Sequence, residues 1–192
     1  MKKIIIFLAI FFLTTSTITA EEIKRIVVGN KDAKITIIAF ESLTCSHCAN
    51  FHKDVYPQLK NEYIDTGLAK IEFRHFPLDI AAFNASKVSQ CRNDGSSNIL
   101  DSLYLNQQKW IKGNTAEEAN DHLEIFLAEE GIAIDFNKCI NDKKLEDFVL
   151  NDRIDGVKTF KVNSTPTIII NNKKFDKSLN YKNLKKALEK LI

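Results

Sequence analysis

The chain is poor in the residues that interrupt regular structure. Three prolines and six glycines in 192 residues exclude a collagen-like or proline-rich architecture. Charge of one sign is also lacking: 27 Lys and Arg stand against 25 Asp and Glu, a formal +2. The first twenty residues hold two lysines and no acid, so residues 21–192 balance at 25 against 25. Such a chain has no broad field with which to recruit nucleic acid. Beyond the amino-terminal run, no stretch reaches the roughly eighteen apolar residues that a spanning helix needs. With 44% hydrophobic and 27% charged residues, the composition is too apolar for disorder and ordinary for one or two globular domains.

Met1-Lys2-Lys3 is a short positive start, and Ile4 to Leu13 is an unbroken apolar run. Thr14 to Ala20 is small and mostly polar, apart from Ile18. This is the three-part pattern of an export signal, with cleavage expected after Ala20. An uncleaved anchor is the competing reading, but the run is too short to span a bilayer as a helix. Export places Cys45, Cys48, Cys91 and Cys139 in an oxidising compartment. Residues 21–192 are enough to bury a core without disulfides, so at least one cysteine pair is expected to do chemistry.

Ile35 to Phe40 reads as a buried strand. From Cys45 onward, Cys48, Phe51, Val55 and Leu59 recur at helical spacing, with a kink expected at Pro57 and a stop at Gly67. Ile71 to Phe76 alternates as a second strand, which completes a βαβ unit. The middle of the chain is helical. Asp79 caps a segment to Cys91, Ser97 to Trp110 forms another, and Thr115 with Glu118 makes a capping box. Phe136 to Ile140 reads as a short turn, and Lys144 to Phe160 as a longer helix. Thr167 to Ile170 is a strand, Asn171-Asn172 a two-residue turn, and Lys173 to Phe175 an antiparallel return. Tyr181, Leu184, Leu188 and Leu191 mark a final amphipathic helix.

Cys45-Ser46-His47-Cys48 follows a strand and opens a helix. At that position, free backbone N–H groups and the helix dipole favour an anion. The Cys45 thiolate is therefore stabilised, and the thiolate is the nucleophile. His47 can add a hydrogen bond or a positive charge. Cys48, one turn deeper, can attack a mixed disulfide at Cys45. Each unit by which a thiol pKa falls is worth about 1.4 kcal/mol to the thiolate, which makes the disulfide the stronger oxidant. A plain structural disulfide and a metal site compete with this reading. The metal site needs further ligands, of which His52 is the nearest, and Cys91 and Cys139 lack ligand spacing. Attached haem would need His where Ala49 stands.

Phe40 to Cys48, Phe76-Pro77-Leu78 and Val162 to Thr167 together resemble the DsbA family of thiol oxidases across essentially all of residues 21–192. The resemblance implies an α/β chain: a thioredoxin fold with an inserted α-helical domain. Residues 21–77 and 151–192 would form the thioredoxin-like part and 78–150 the insertion. It also implies that Pro166 is a cis-proline facing the disulfide, where an ordinary trans proline starting a strand is the alternative. Thr165 would offer its backbone to an extended substrate and its hydroxyl to the Cys45 sulfur. The family usually has Pro where Ser46 stands. Many members hold a buried acid at the place of Ala39; Glu41 shares that strand face and is a candidate for that proton-handling part, with a solvated loop position as the favoured alternative. Cys91 and Cys139 are expected to pair in the insertion as a structural bridge, with redox tuning as the alternative. His75 and His122 are expected to be structural or solvated.

The resemblance further implies a periplasmic thiol:disulfide oxidoreductase that donates the Cys45–Cys48 disulfide to reduced or unfolded exported proteins. It would need no cofactor or metal. A DsbB-like membrane quinone reductase would re-oxidise it. An isomerase or reductase on the same fold, and a metal carrier, are the competing functions. Isomerases usually carry an amino-terminal oligomerisation segment, for which about fourteen residues leave no room, so a monomer is expected.

Overall fold

The structure is a computed structural model and describes residues 22–192. The expected export signal at residues 1–20 lies outside the described residues. Five strands form one mixed sheet in the order β1-β3-β2-β4-β5. These are β1 (Val27–Gly29), β2 (Ile35–Glu41), β3 (Ala69–His75), β4 (Thr167–Ile170) and β5 (Lys173–Lys174). Central β2 runs parallel to β3 and antiparallel to β4. Its near-continuous apolar sequence follows from coverage on both faces. Ile37 and Ala39 join the larger core with the helix that follows β2. Ile38 and Phe40 join a second cluster with Phe76, Val162 and Ile169 on the opposite face.

The helix at 46–64 is continuous in path but irregular in pitch. Phe51–Val55 and Lys60–Ile64 are widened to i→i+5 bonding. Pro57 has no N–H to give to the preceding turn, and the widened turn before it absorbs that gap.

Helices Ile80–Gln90, Asn98–Leu105, Gln107–Trp110, Ala116–Glu129 and Phe136–Asn141 fill the stretch between β3 and the long helix Lys143–Phe160. Their starts are written in the sequence. Asp79, Thr115, Asp135 and Asp142 each accept a backbone N–H of the turn they cap. Glu118 completes its box one residue early, accepting from Asn114 N–H at 2.6 Å. Gly156 lets the long helix lie on the sheet, since a Cβ there would sit 2.9 Å from the Phe40 ring.

Several expectations are corrected. β1 is an unanticipated edge strand, antiparallel to β3. The 97–110 segment breaks at Asn106, whose φ of −120° and ψ of 25° are not helical. The expected turn at Phe136 is the helix Phe136–Asn141. The last helix, Tyr181–Leu188, buries Leu184 and Leu188 but stops before Leu191, which is exposed. The Asn171-Asn172 turn has the positive φ values that it requires, 45° and 64°. No helix of the described residues is long and apolar enough to cross a membrane.

Candidate active site

Cys45 caps the helix at 46–64 in an extended conformation, φ −80° and ψ 118°. Its sulfur lies at the mouth of the helix and is half-buried; Cys48, one turn in, is fully buried. Both are free thiols. The Cys45 thiol donates to the carbonyl oxygen of Thr165 at 3.4 Å. The Thr165–Pro166 peptide bond is cis, and this loop sits across the sulfur from the helix.

The Cys45 pKa falls from 9.0 to about 5. The hydrogen bond from the Cys48 thiol contributes most; burial opposes it, and the Thr165 side chain and the backbone N–H groups of Cys48 and His47 add to it. The Thr165 hydroxyl is buried with no hydrogen-bond partner in the fold, so the sulfur is its available acceptor when ionised. Burial and the Cys45 contact push the Cys48 thiol far up. One sulfur is thus set to be an anion and its neighbour to be a neutral donor.

His47 acts here through its backbone, while its side chain is exposed. That side chain lines an open groove of about 500 Å³ with Phe51, Val55, Thr165, Pro166 and Leu179. The groove runs past the cis-proline loop beside the active-site helix. Thr44 Oγ1 donates to Asp79 Oδ2 at 2.6 Å, and Gln107 Nε2 donates to the carbonyls of Leu43 and Cys45 at 2.7 and 3.0 Å. The helical stretch between β3 and β4 thereby grips the loop that carries the cysteine.

Glu41 is 3% exposed at the end of β2, so the solvated-loop reading is overturned. It falls on the same strand face as Ala39, which points it under the active-site helix. His52 Nε2–H donates to Glu41 Oε2 at 2.9 Å. Asp101 Oδ1 lies 3.4 Å from His52 Nδ1. Burial holds the Glu41 carboxyl above its ordinary pKa. Burial alone would lower His52, but Glu41 and Asp101 outweigh it and raise its pKa to about 9. Sequence reading missed this cluster. An acid and a histidine eleven residues apart make no motif, and Asp101 lies on a different element.

Cys91 and Cys139 form a disulfide with Cα atoms 5.5 Å apart, as expected. It ties the end of Ile80–Gln90 to Phe136–Asn141. His75 is buried and neutral, its pKa lowered to about 3 by burial and by Arg25. Gln90 Nε2 donates to its Nε2 at 3.0 Å, a structural role. Among the described residues, no group of three or more His, Cys, Asp and Glu side chains is placed to hold a metal ion.

The thioredoxin family profile matches residues 21–190. The fold is similar to alpha-DsbA1 of Wolbachia pipientis, with a TM-score of 0.77, 30% identity, and coverage of 87% of this chain and 90% of that one. It is also similar to BdbD of Bacillus subtilis, with a TM-score of 0.68, 22% identity, and coverage of 86% and 91%, a likeness of fold. A Rickettsia bellii relative that carries the name protein-disulfide oxidoreductase is 31% identical over 149 residues, 76% of this chain. The chain spans only 56% of that relative's length.

Proposed function

The chain belongs to the thioredoxin family and, within it, to the DsbA type; from that premise we propose that it is a periplasmic thiol oxidase for exported proteins. A substrate thiolate attacks Cys45 Sγ in the Cys45–Cys48 disulfide. The bond breaks, Cys48 leaves, and a mixed disulfide forms. A second substrate thiolate then attacks the substrate sulfur, and Cys45 leaves as a stable anion. The protein ends as a dithiol and the substrate as a disulfide. A DsbB-like membrane quinone reductase would return the electrons to the membrane and restore the disulfide.

The observation that carries this reading is the asymmetry of the two sulfurs, Cys45 lowered to about 5 and Cys48 raised. A stabilised thiolate favours the reduced protein and so makes its disulfide a donor. Thr165 and Pro166 would bind an extended substrate backbone beside the sulfur, and the groove lined by Phe51, Val55 and Leu179 would take its apolar side chains. His47 borders the same groove and would meet the substrate there. The division into 21–77 with 151–192 and an insertion at 78–150 belongs to the same proposal. Its second junction falls within the helix Lys143–Phe160. The Cys91–Cys139 bridge is structural in this scheme, and the protein acts as a monomer without cofactor.

Alkylation of the reduced protein against pH tests the reading. Cys45 is expected to titrate at about 5, and the oxidised protein to oxidise reduced ribonuclease faster than the reduced protein unscrambles a mispaired one. A Cys45 that titrates near about 8.5, as a free thiol does, overturns it.

A further inference from the structure

The backbone around Cys45 is held by a side chain that comes from the inserted helices. Gln107 opens the short helix Gln107–Trp110 and is 9% exposed. Its Nε2 donates to the carbonyl of Leu43 at 2.7 Å and to that of Cys45 at 3.0 Å. Both partners are acceptors, so the amide must present its nitrogen, and its two N–H groups match the two oxygens. The Cys45 carbonyl also accepts from Cys48 N–H at 3.0 Å and Ala49 N–H at 3.1 Å, the opening bonds of the active-site helix. It thus carries three donors, one of them from 62 residues along the chain.

Gln107 is itself firmly seated. Asn106 breaks the helical path, and its Nδ2 donates to the Ser102 carbonyl at 3.0 Å. Three residues on, Trp110 is buried, and its indole donates to the Leu103 carbonyl at 2.9 Å. On the other flank of the loop, Cys45 N–H donates to the Ser42 carbonyl at 3.0 Å, and Thr44 Oγ1 donates to Asp79 Oδ2 at 2.6 Å. Cys45 is therefore pinned on both sides at φ −80° and ψ 118°. From there its sulfur meets the backbone N–H groups of His47 and Cys48.

We propose that Gln107 is a positioning residue for the Cys45 thiolate: by holding the carbonyls of Leu43 and Cys45 it fixes the mouth of the helix around the sulfur and sets how oxidising the Cys45–Cys48 disulfide is. This rests on the oxidase reading and names the residue through which the inserted helices act on it. Two effects have the same sign. A donor on the Cys45 oxygen offsets the negative end of the carbonyl dipole beside the sulfur, so the anion meets less repulsion. A pinned loop also keeps the N–H groups of His47 and Cys48 in place, with no reorganisation when the thiolate forms. The disulfide gains nothing from either, because its sulfur carries no charge. Gln107 therefore favours the reduced protein over the oxidised one.

The groups that act with the Cys45 charge are the Cys48 thiol and the His47 and Cys48 N–H groups from the active-site helix, and Thr165 from the cis-proline loop. Glu41 from β2 and Tyr104 from Asn98–Leu105 respond to it in turn. Gln107 does not titrate, so replacing it leaves this set of ionisable groups intact.

The test compares the whole protein with Gln107→Met, which keeps the length of the side chain and has no donor. The alkylation midpoint of Cys45 is expected to rise by about one unit. The equilibrium constant for oxidation of glutathione by the disulfide at pH 7 is expected to fall about tenfold, because each unit lost by the thiolate takes a factor of about ten from the reduced side. A variant that melts lower but keeps both values has lost packing alone, and overturns the proposal. A second measurement needs no variant. Coupling is reciprocal, so the Gln107 side-chain amide signals of the reduced parent, followed by ¹H–¹⁵N NMR, should shift with a midpoint near the Cys45 value of about 5. Signals that stay fixed through that titration overturn it. A parent Cys45 that titrates near about 8.5 defeats the oxidase reading as well, whereas a low value indifferent to Gln107→Met defeats the positioning role alone.

Discussion

At the scale of single residues, two titrating groups make the protein lose stability to acid in different pH windows. The folded pKa of Cys45 lies below its ordinary value, so the thiolate stabilises the reduced fold fully above about pH 9 and ceases to do so as pH falls through about 5. The disulfide form lacks this term. The melting temperature of the reduced form should therefore gain on that of the oxidised form as pH rises from about 5 to about 9. Calorimetry of both forms at pH 4, 7 and 9 checks this, and a constant difference contradicts it. His75 adds an acid limb common to both forms, because a histidine held neutral at a pKa of about 3 loses stability as pH falls below 6.5. Cys45, Cys48, Thr165 and Pro166 were legible in the sequence because each pair sits in a short motif. Glu41 was legible as a neighbour of the family's acid position, but its burial with His52 and Asp101 was not, because a buried polar cluster is assembled by packing and leaves no local spacing.

At the scale of elements, Gly156 lets the long helix approach the sheet closely at Phe40. Gly156→Ala would gain up to about 1 kcal/mol of helix propensity. It would lose about 1 to 3 kcal/mol to overpacking against Phe40. A net destabilisation of up to about 2 kcal/mol is expected, measured by urea unfolding; a raised midpoint would mean that the helix shifts freely on the sheet. Capped helices and the strands β2, β3 and β4 were readable because caps and apolar period are local signals. β1 was not, since Val27–Gly29 is three residues long and owes its extension to pairing with β3. Nor was the break at Asn106, which lets Gln107 turn inward to bond Leu43 and Cys45. That interruption answers to a tertiary contact and to no propensity of its own.

At the scale of the molecule, the inserted helices are fastened in two ways. The Cys91–Cys139 bridge closes a loop with a sequence separation of 48. Chain entropy puts its removal at up to about 4 kcal/mol. Cys91→Ala with Cys139→Ala should lower the unfolding free energy by about 2 to 4 kcal/mol, while the folded variant keeps its exchange activity; loss of exchange in a folded variant would assign the bridge a redox part. The second fastening is polar, from Asp79 and Gln107 to the loop 42–45. Helical content between β3 and β4 was evident from periodicity, whereas this grip on the cysteine loop depends on side-chain geometry across more than thirty residues.

The lone tryptophan ends the same short helix that begins at Gln107. Trp110 is 1% exposed, and its indole nitrogen donates to Leu103 at 2.9 Å. A shift of the Cys45 carbonyl would reach the Gln107 amide that bonds it, one turn from the indole. The molecule thus contains its own optical gauge: gain and loss of the sulfur–sulfur bond should register in ultraviolet emission, with no dye attached.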